Sequence, residues 1–455
     1  FFGVLITSAG GGNTTVNLPA VDTSAATARV EIAVQGFSYI IHNYRILLNG
    51  TEIGTMTGIN TDLMTGAYTV PVSLLNSGAN IVRVEALNPN DLSFTESVKI
   101  SYTRRYEAEQ DRLWFYTPNY RQTRVSGFTS PAIRAFDMTD AADPKEVLNL
   151  KVRPAAGGGY ELVLPSYRGR VVYAVADGAV RAPASVTGNV PSTLSTPQNA
   201  ANMVIISYRD WMNEAENWAN YRRADGWSVK LVNVEDIYDE FGSGVAAAES
   251  IRSFLQYAKN NWQTAPGYVL LIGDATYDPR NYLGFGFFNF VPAKIVDTTF
   301  MQTGSDDALA DFNDDGLAEL AVGRIPIRNA AGVTTILAKT TAFEQGLAQA
   351  PSRGALCASD LPRGYDFQAL CNRIFQSFPG TLGVPQSHLN RVESDSRAAL
   401  LNAASQGKYI INYSGHGTLT AWEGNWYSST DVPSLTNTNA NLTLWIMLTC
   451  LNGYY

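Results

Sequence analysis

From residue 203 to 450 the chain alternates short apolar runs with stretches of helical period, and this alternation constrains the fold more than any other feature. "MVIIS" (203–207), "SVKLVNV" (228–234), "YVLLIGD" (268–274), "AELAVGR" (318–324), "GALCASD" (354–360), "YIINYSGH" (409–416) and "LWIMLTC" (444–450) read as strands. "YVLLIGD" is apolar almost throughout, as a strand covered on both faces is. Between the runs, "DWMNEAENWANYRRADG" reads as a helix ending at Gly226. In "AAAESIRSFLQYAKNNW", Ile251, Phe254, Leu255 and Ala258 recur at i, i+3, i+4 and i+7, with Trp262 continuing the stripe. Further helices are expected over about Ala331–Gln345, Asp366–Phe378 and Ser394–Ser405. Repeated βα units predict a mostly parallel sheet with helices on both faces. Such α/β sheets gather ligands and chemistry at the carboxyl ends of their strands.

The residues ahead of this region follow a different period. "ARVEIAVQGF" alternates, and "YRILLNGTEIG" sets an Asn-Gly turn between apolar runs. Residues 1–104 therefore read as a β-sandwich-like domain, 105–195 as a second β-rich domain and 203–455 as the α/β domain, with a Pro/Ser/Thr/Asn-rich linker over 183–202. A chain of 455 residues with 45% hydrophobic and 16% charged residues has the means to build several cores. Its net charge of −8 argues against a general nucleic-acid binder. No apolar run approaches the length of a membrane span. "FFGVLITSAGGG" is neither a signal peptide nor an anchor, and both ends read as cuts in a longer protein. With three cysteines there is no disulfide framework; a single Cys357–Cys371 bridge would leave Cys450 as the odd thiol, and the reading of the pair as small buried residues is favoured over that bridge.

Two consecutive strands of the α/β pattern end in His416 and Cys450. Singly, each has a plainer reading, as a turn residue and a buried thiol. Jointly they place an imidazole and a thiol at one sheet edge, the arrangement that raises a thiolate fraction and then protonates a leaving amine. Gly415 and Gly417 permit close backbone approach, and the N–H groups of Gly417 and Cys450 are candidates for an oxyanion hole. Trp422 is a candidate pocket wall.

The stretch from "INYSGHGTLTAW" to "LTCLNG" resembles the catalytic segment of the gingipain family of cysteine peptidases, in the caspase-like clan. It carries a Tyr-x-Gly-His-Gly turn, a Thr-Ala-Trp after it, "LTN" before the last strand, and a Cys followed two residues later by Asn-Gly. "LAVGRIP", "YVLLIGD" and "MVIISY" extend the similarity back to residue 200. The resemblance implies His416 as base, Cys450 as nucleophile and Glu319, ahead of the "VGR" strand, as the carboxylate that orients His416. It also implies protein substrates and a secreted or cell-surface setting. The β-rich region is similar to that of the sortase-like signal peptidases of type IX secretion, which transfer acyl groups to amines.

"DFNDDGLAE" (311–319) looks like the first half of a calcium loop, with Asp311, Asn313 and Asp315 alternating and Leu317 offering a carbonyl. An EF-hand would place its bidentate Glu where Val322 stands, so this is no EF-hand. Glu319 is then contested between metal ligand and histidine orienter. The resemblance adds that such enzymes bind calcium; no organic cofactor is expected. Asp274 and Asp278 are expected to form a turn, and His42 and His388 to be structural or on the surface. A non-catalytic, calcium-stabilised surface module is the rival reading from another class.

Overall fold

The alternation in "ARVEIAVQGF" becomes a strand, Thr27–Gly36, whose Val30, Ile32 and Val34 point into a dry core. The computed structural model describes residues 3–453 apart from 9, 166–167, 187, 283, 299–301, 363, 392–394 and 439–440. It divides the chain into two units, Phe1–Gly188 and Asn189–Tyr455. In the first unit, two four-stranded antiparallel sheets enclose one core. Leu48 pairs with Thr51 across Asn49 and Gly50, whose φ values of 50° and 85° give the hairpin turn that Asn-Gly favours. His42 lies fully buried there, with Nδ1 2.9 Å from the Asp91 carboxylate and Nε2 2.7 Å from the Asn60 carbonyl. A second pair of antiparallel sheets, between Arg112 and Ala176, closes over Leu113, Phe115, Val125, Phe128 and Leu162.

The parallel sheet expected in the second unit is realised as two four-stranded parallel sheets. In the first, β1 (Met203–Ser207) lies between β2 (Val229–Asn233) and β3 (Tyr268–Ile272), and β3 pairs with β4 (Ala321–Ile325). Successive residues of these strands face opposite sides. Ile205, Ile272 and Ile325 meet α1 (Met212–Ala224) and α4 (Ala330–Gln345), whereas Val204, Ile206, Val269 and Leu271 meet α2 (Val234–Gly242) and α3 (Ala248–Asn261). All five residues of the stripe expected on α3 are buried. The stretch read as a linker is anchored at its end, where the Glu240 carboxylate accepts the N–H groups of Leu194 and Ser195, each at 2.9 Å.

In the second sheet, β5 (Ala355–Ser359) lies between β6 (Gln386–Asn390) and β7 (Ile410–Ser414), and β7 pairs with β8 (Leu444–Leu448). Helix α5 (Phe367–Gln376) covers one face and α6 (Ser396–Gln406), with a Trp-rich loop, the other. Ser394, where α6 was expected to begin, is outside the described residues. The expectation of two separate thiols is overturned. Cys357 on β5 and Cys371 on α5 are both fully buried and joined in a disulfide. Spacing alone did not reveal it, because the pair meets only once α5 folds back over β5.

That bond closes a 14-residue separation, for which chain entropy gives about 3 kcal/mol. Replacing both cysteines by alanine is expected to lower the unfolding free energy of the second unit by about that amount in urea titration. The first unit's transition should stay where it is.

Candidate active site

Register builds the site. Ser359 pairs with Ser414 and Ser414 with Leu448, so the carboxyl ends of β5, β7 and β8 stand abreast. The ladder runs one rung further on each side: Asp360 N–H donates to the Ser414 carbonyl at 3.0 Å, and Gly415 N–H to the Leu448 carbonyl at 3.3 Å. Two residues past these ends stand His416, after β7, and Cys450, after β8.

Beyond the strands the backbone of each residue is tied down. The His416 carbonyl accepts from the Tyr413 hydroxyl at 2.7 Å and from Glu423 N–H at 2.9 Å. Burial pushes the Tyr413 hydroxyl well above its ordinary range, which keeps it a donor. The His416 ring meets the Phe367 ring edge to face, with centroids 5.3 Å apart. Neither ring nitrogen has a hydrogen-bond partner among the described residues. Cys450 is a free, exposed thiol. Its carbonyl accepts Asn452 N–H at 2.8 Å across Leu451, whose φ of +61° is left-handed. Such a turn is strained for a branched residue, and strain of this kind collects at functional sites.

Gly417 closes the gap between the two strand ends. A Cβ there would lie 2.4 Å from Thr449 Oγ1 and 3.0 Å from the Cys450 carbonyl oxygen, so a side chain would have to displace Thr449 and crowd that carbonyl. Gly417 bridges Trp422 through bonds made by its neighbours, Glu423 N–H to His416 and Thr418 N–H to Ala421. Its own N–H therefore faces away from that loop. The N–H groups of Gly417 and Cys450 make no hydrogen bond among the described residues. Both amides are thus free to meet an oxyanion at the same edge as the thiol.

Two expected residues stand elsewhere. Trp422 is no pocket wall: it is 2% exposed, stacks on Tyr413 at 4.0 Å and packs with Trp426 and Tyr427 beneath the His416 loop. Glu319 is not brought to His416. Its carboxylate accepts Phe312 N–H at 2.6 Å, in the acidic loop ahead of β4. There Asp311, Asp315 and Glu319 each place a carboxylate oxygen within 4.8 Å of the others. Asp311 accepts from Asp315 and Gly316 N–H, and Asp315 from Leu317 N–H. Asn313 bonds to Asp315, and the Leu317 side chain is exposed. Asp278 caps a turn by accepting Tyr282 N–H, as expected of a turn residue.

Asp360 escaped the sequence reading. It follows β5, is 4% exposed, and accepts from His416 N–H at 3.2 Å and from Leu361 N–H at 2.6 Å, with Arg391 Nε at 2.5 Å. Burial works against its charge, but the hydrogen bonds from Arg391, Leu361 and His416 outweigh burial and hold the carboxyl below its ordinary range. Its signal in the sequence is the one that marks His416 and Cys450: a polar residue directly after an apolar parallel strand.

A free thiol, an unengaged imidazole and two open backbone N–H groups thus stand past the carboxyl ends of neighbouring parallel strands, in a chain of the α/β class. Residues 196–455 match Peptidase family C25, more than half of the chain, and the protein belongs to that family, the gingipains. Gingipain R2 of Porphyromonas gingivalis is 22% identical over 284 residues, which cover 59% of this chain and 35% of that protein. Gingipain R1 of the same organism is 21% identical over 263 residues, covering 55% and 24%. The chain thus spans about a third or less of the length of these curated relatives. The crystal structure of dimeric latent PorU from Porphyromonas gingivalis superposes with a TM-score of 0.57 at 16% identity, covering 77% of this chain and 37% of that one. That is a likeness of fold, and it takes in more of the chain than residues 196–455.

If Trp422 is core, Trp422→Ala should cost about 3–5 kcal/mol in denaturant unfolding. Trp422→Phe, which keeps a ring against Tyr413, should recover much of this. A variant that keeps full stability and loses only substrate affinity would restore the pocket role.

Proposed function

We propose that the protein is a cysteine endopeptidase acting on protein substrates through an acyl-enzyme. The observation that carries this reading is the free, exposed Cys450 thiol two residues past β8; that strand pairs with β7, and two residues past β7 stands His416 with both ring nitrogens unengaged among the described residues. His416 takes the thiol proton, and the Cys450 sulfur attacks the scissile carbonyl carbon. The oxyanion that forms is met by the N–H groups of Gly417 and Cys450. His416 returns the proton to the leaving amine, the C–N bond breaks, and a thioester joins substrate to Cys450. Water, deprotonated by His416, then releases the acid and the thiolate. An amine in place of water at that last step gives transpeptidation by the same groups, the sortase-like alternative. Glu319 has no part in this scheme.

The setting we propose is secreted or cell-surface. The family resemblance supports it, and so does a disulfide buried in the second unit, since such bonds persist in oxidising compartments. Among the described residues no helix is long and apolar enough to cross a membrane.

The three carboxylates of the acidic loop fit a hard divalent cation such as calcium, which takes only oxygen donors. Asp311, Asp315 and Glu319 would hold it. The ion would relieve their mutual repulsion and fix the loop ahead of β4, a structural task apart from the chemistry at Cys450.

Cleavage of a mixed peptide library, with and without an added amine acceptor, tests the activity. Cys450→Ala should abolish product, and His416→Ala should lower kcat by roughly 10²–10⁴-fold. Joined products in the presence of the amine would identify transfer. No cleavage by the parent protein, with Cys450 no more reactive than a free thiol, would support a non-catalytic module. In thermal melts, calcium at a hundredfold excess over its dissociation constant should add about 2.7 kcal/mol. The Asp311→Asn, Asp315→Asn double variant should lose that gain, and a parent melt indifferent to calcium would exclude the ion.

A further inference from the structure

In the first unit, one sheet of the second β-rich region turns a row of rings outward. Trp114 on strand Arg112–Thr117 stands opposite Tyr173 on strand Arg170–Ala176, and Tyr173 stands opposite Phe136 on strand Ile133–Asp137. Alternation sends Leu113, Phe115, Ala135, Val172 and Ala174 of the same strands into the core, so the three rings share the opposite face. Neighbouring strands lie about 4.8 Å apart, and the row crosses three of them. Trp114 and Tyr173 have ring centroids 4.9 Å apart and planes 34° from parallel. Trp114 is 57% exposed, and Tyr116, the next outward residue of its strand, equally so. We propose that this aromatic strip is a binding site for a neutral, extended glycan, a task separate from the chemistry at Cys450.

Ring chemistry is the first argument. A pyranose presents a flat face of C–H groups, whose partial positive charge is attracted to the negative face of an indole or phenol ring. A face built to dock apolar protein would be served as well by Leu, Ile or Met, and none of these stands in the row. The rings also lie along a sheet face and not at a protruding tip, which suits a ligand laid across them better than insertion into lipid. Because the strand carrying Trp114 and Tyr116 is at the edge of its sheet, a chain of sugars can run on past it.

The polar surroundings are the second argument. Beside the strip is a hollow of about 370 Å³ lined by Arg104, Glu109, Arg112, Leu113, Trp114 and Tyr173, within the size range of small-ligand sites. The next outward row is Arg112, Val175 and Arg134. Arg134 pairs with Glu146 at 2.8 Å and lies over the Phe136 ring, closing that end of the strip. Arg104 lies 3.9 Å from Glu109. Charges set in pairs offer both donors and acceptors with little net field, which matches hydroxyl groups better than an acidic or basic partner. Arg104 Nε is buried with no hydrogen-bond partner among the described residues, so the hollow's wall keeps an unused donor.

The full chain is titrated, by calorimetry and tryptophan fluorescence, with four soluble probes: the β-1,4-linked hexamers of glucose, N-acetylglucosamine, mannose and xylose. At least one should bind with a Kd of about 1 mM or tighter. Trp114→Ala should weaken that binding at least about tenfold, and Tyr173→Ala by a similar factor. Trp227→Ala removes an exposed ring of the second unit and should leave binding unchanged; an equal loss there overturns the proposal. Melting temperatures check that each variant is folded. If Trp114→Ala does not fold, Tyr173→Ala decides alone.

Failure of all four hexamers to bind overturns the proposal, as does full affinity in the folded variant. Self-association of the parent that Trp114→Ala abolishes, with no hexamer bound, would assign the strip to a second copy of the chain instead. None of these readouts depends on peptidase activity, so the site stands or falls apart from the Cys–His reading.

Discussion

The parallel register of β5, β7 and β8 is the constraint on which the rest depends. Pairing Ser359 with Ser414 and Ser414 with Leu448 brings three chain segments to a common edge, although about 90 residues separate Asp360 from Cys450 in sequence. Slipping any of these strands by one residue would reverse which side chains face α5 and which face α6. It would also part the imidazole from the thiol. The register is well defended, since Leu356, Ala358, Ile411 and Tyr413 fill one face and Ala355 and Cys357 the other. The chemistry at the edge inherits its precision from packing further down the strands.

Edge geometry then replaces ladder geometry. Where the strands stop, backbone groups that a neighbour would have satisfied are taken by side chains instead, Asp360 for His416 N–H and Tyr413 for its carbonyl. The two N–H groups left open are those of Gly417 and Cys450, which the proposed scheme offers to the oxyanion. At an exposed edge such N–H groups are met by water until a substrate takes its place. Polar accounting at the strand ends therefore separates groups that hold the site from groups that serve it.

Much of this was legible in the chain itself. Helical and strand periods in residues 203–450 located the α/β elements, and the rule that chemistry sits at the carboxyl ends of parallel strands singled out His416 and Cys450. What stayed hidden was tertiary. Two parallel sheets look the same as one in an alternating pattern, because hydrogen-bonded neighbours are not written in the order of strands. A tryptophan next to a candidate histidine reads equally as wall or core, and only the stack on Tyr413 decides for Trp422. Glu319 satisfied a motif, yet its carboxylate is engaged by Phe312 N–H in its own loop. Asp360 carried the same strand-end mark as the two residues that were found, but its meaning needed Arg391, 31 residues away, to come alongside.

The bridge between Cys357 and Cys371 has a consequence for the order of assembly. It lies within a single strand-and-helix unit, so both its cysteines are made well before the residues of β7 and β8. Its loop is short, so bringing the two thiols together costs little chain entropy beside long-range strand pairing. In an oxidising compartment, α5 can be fastened to β5 without waiting for β7 and β8 to pair. Strands β7 and β8 can then dock onto a template locked by a covalent bond, and with Cys357 and Cys371 joined to each other Cys450 has no disulfide partner left among the chain's three cysteines.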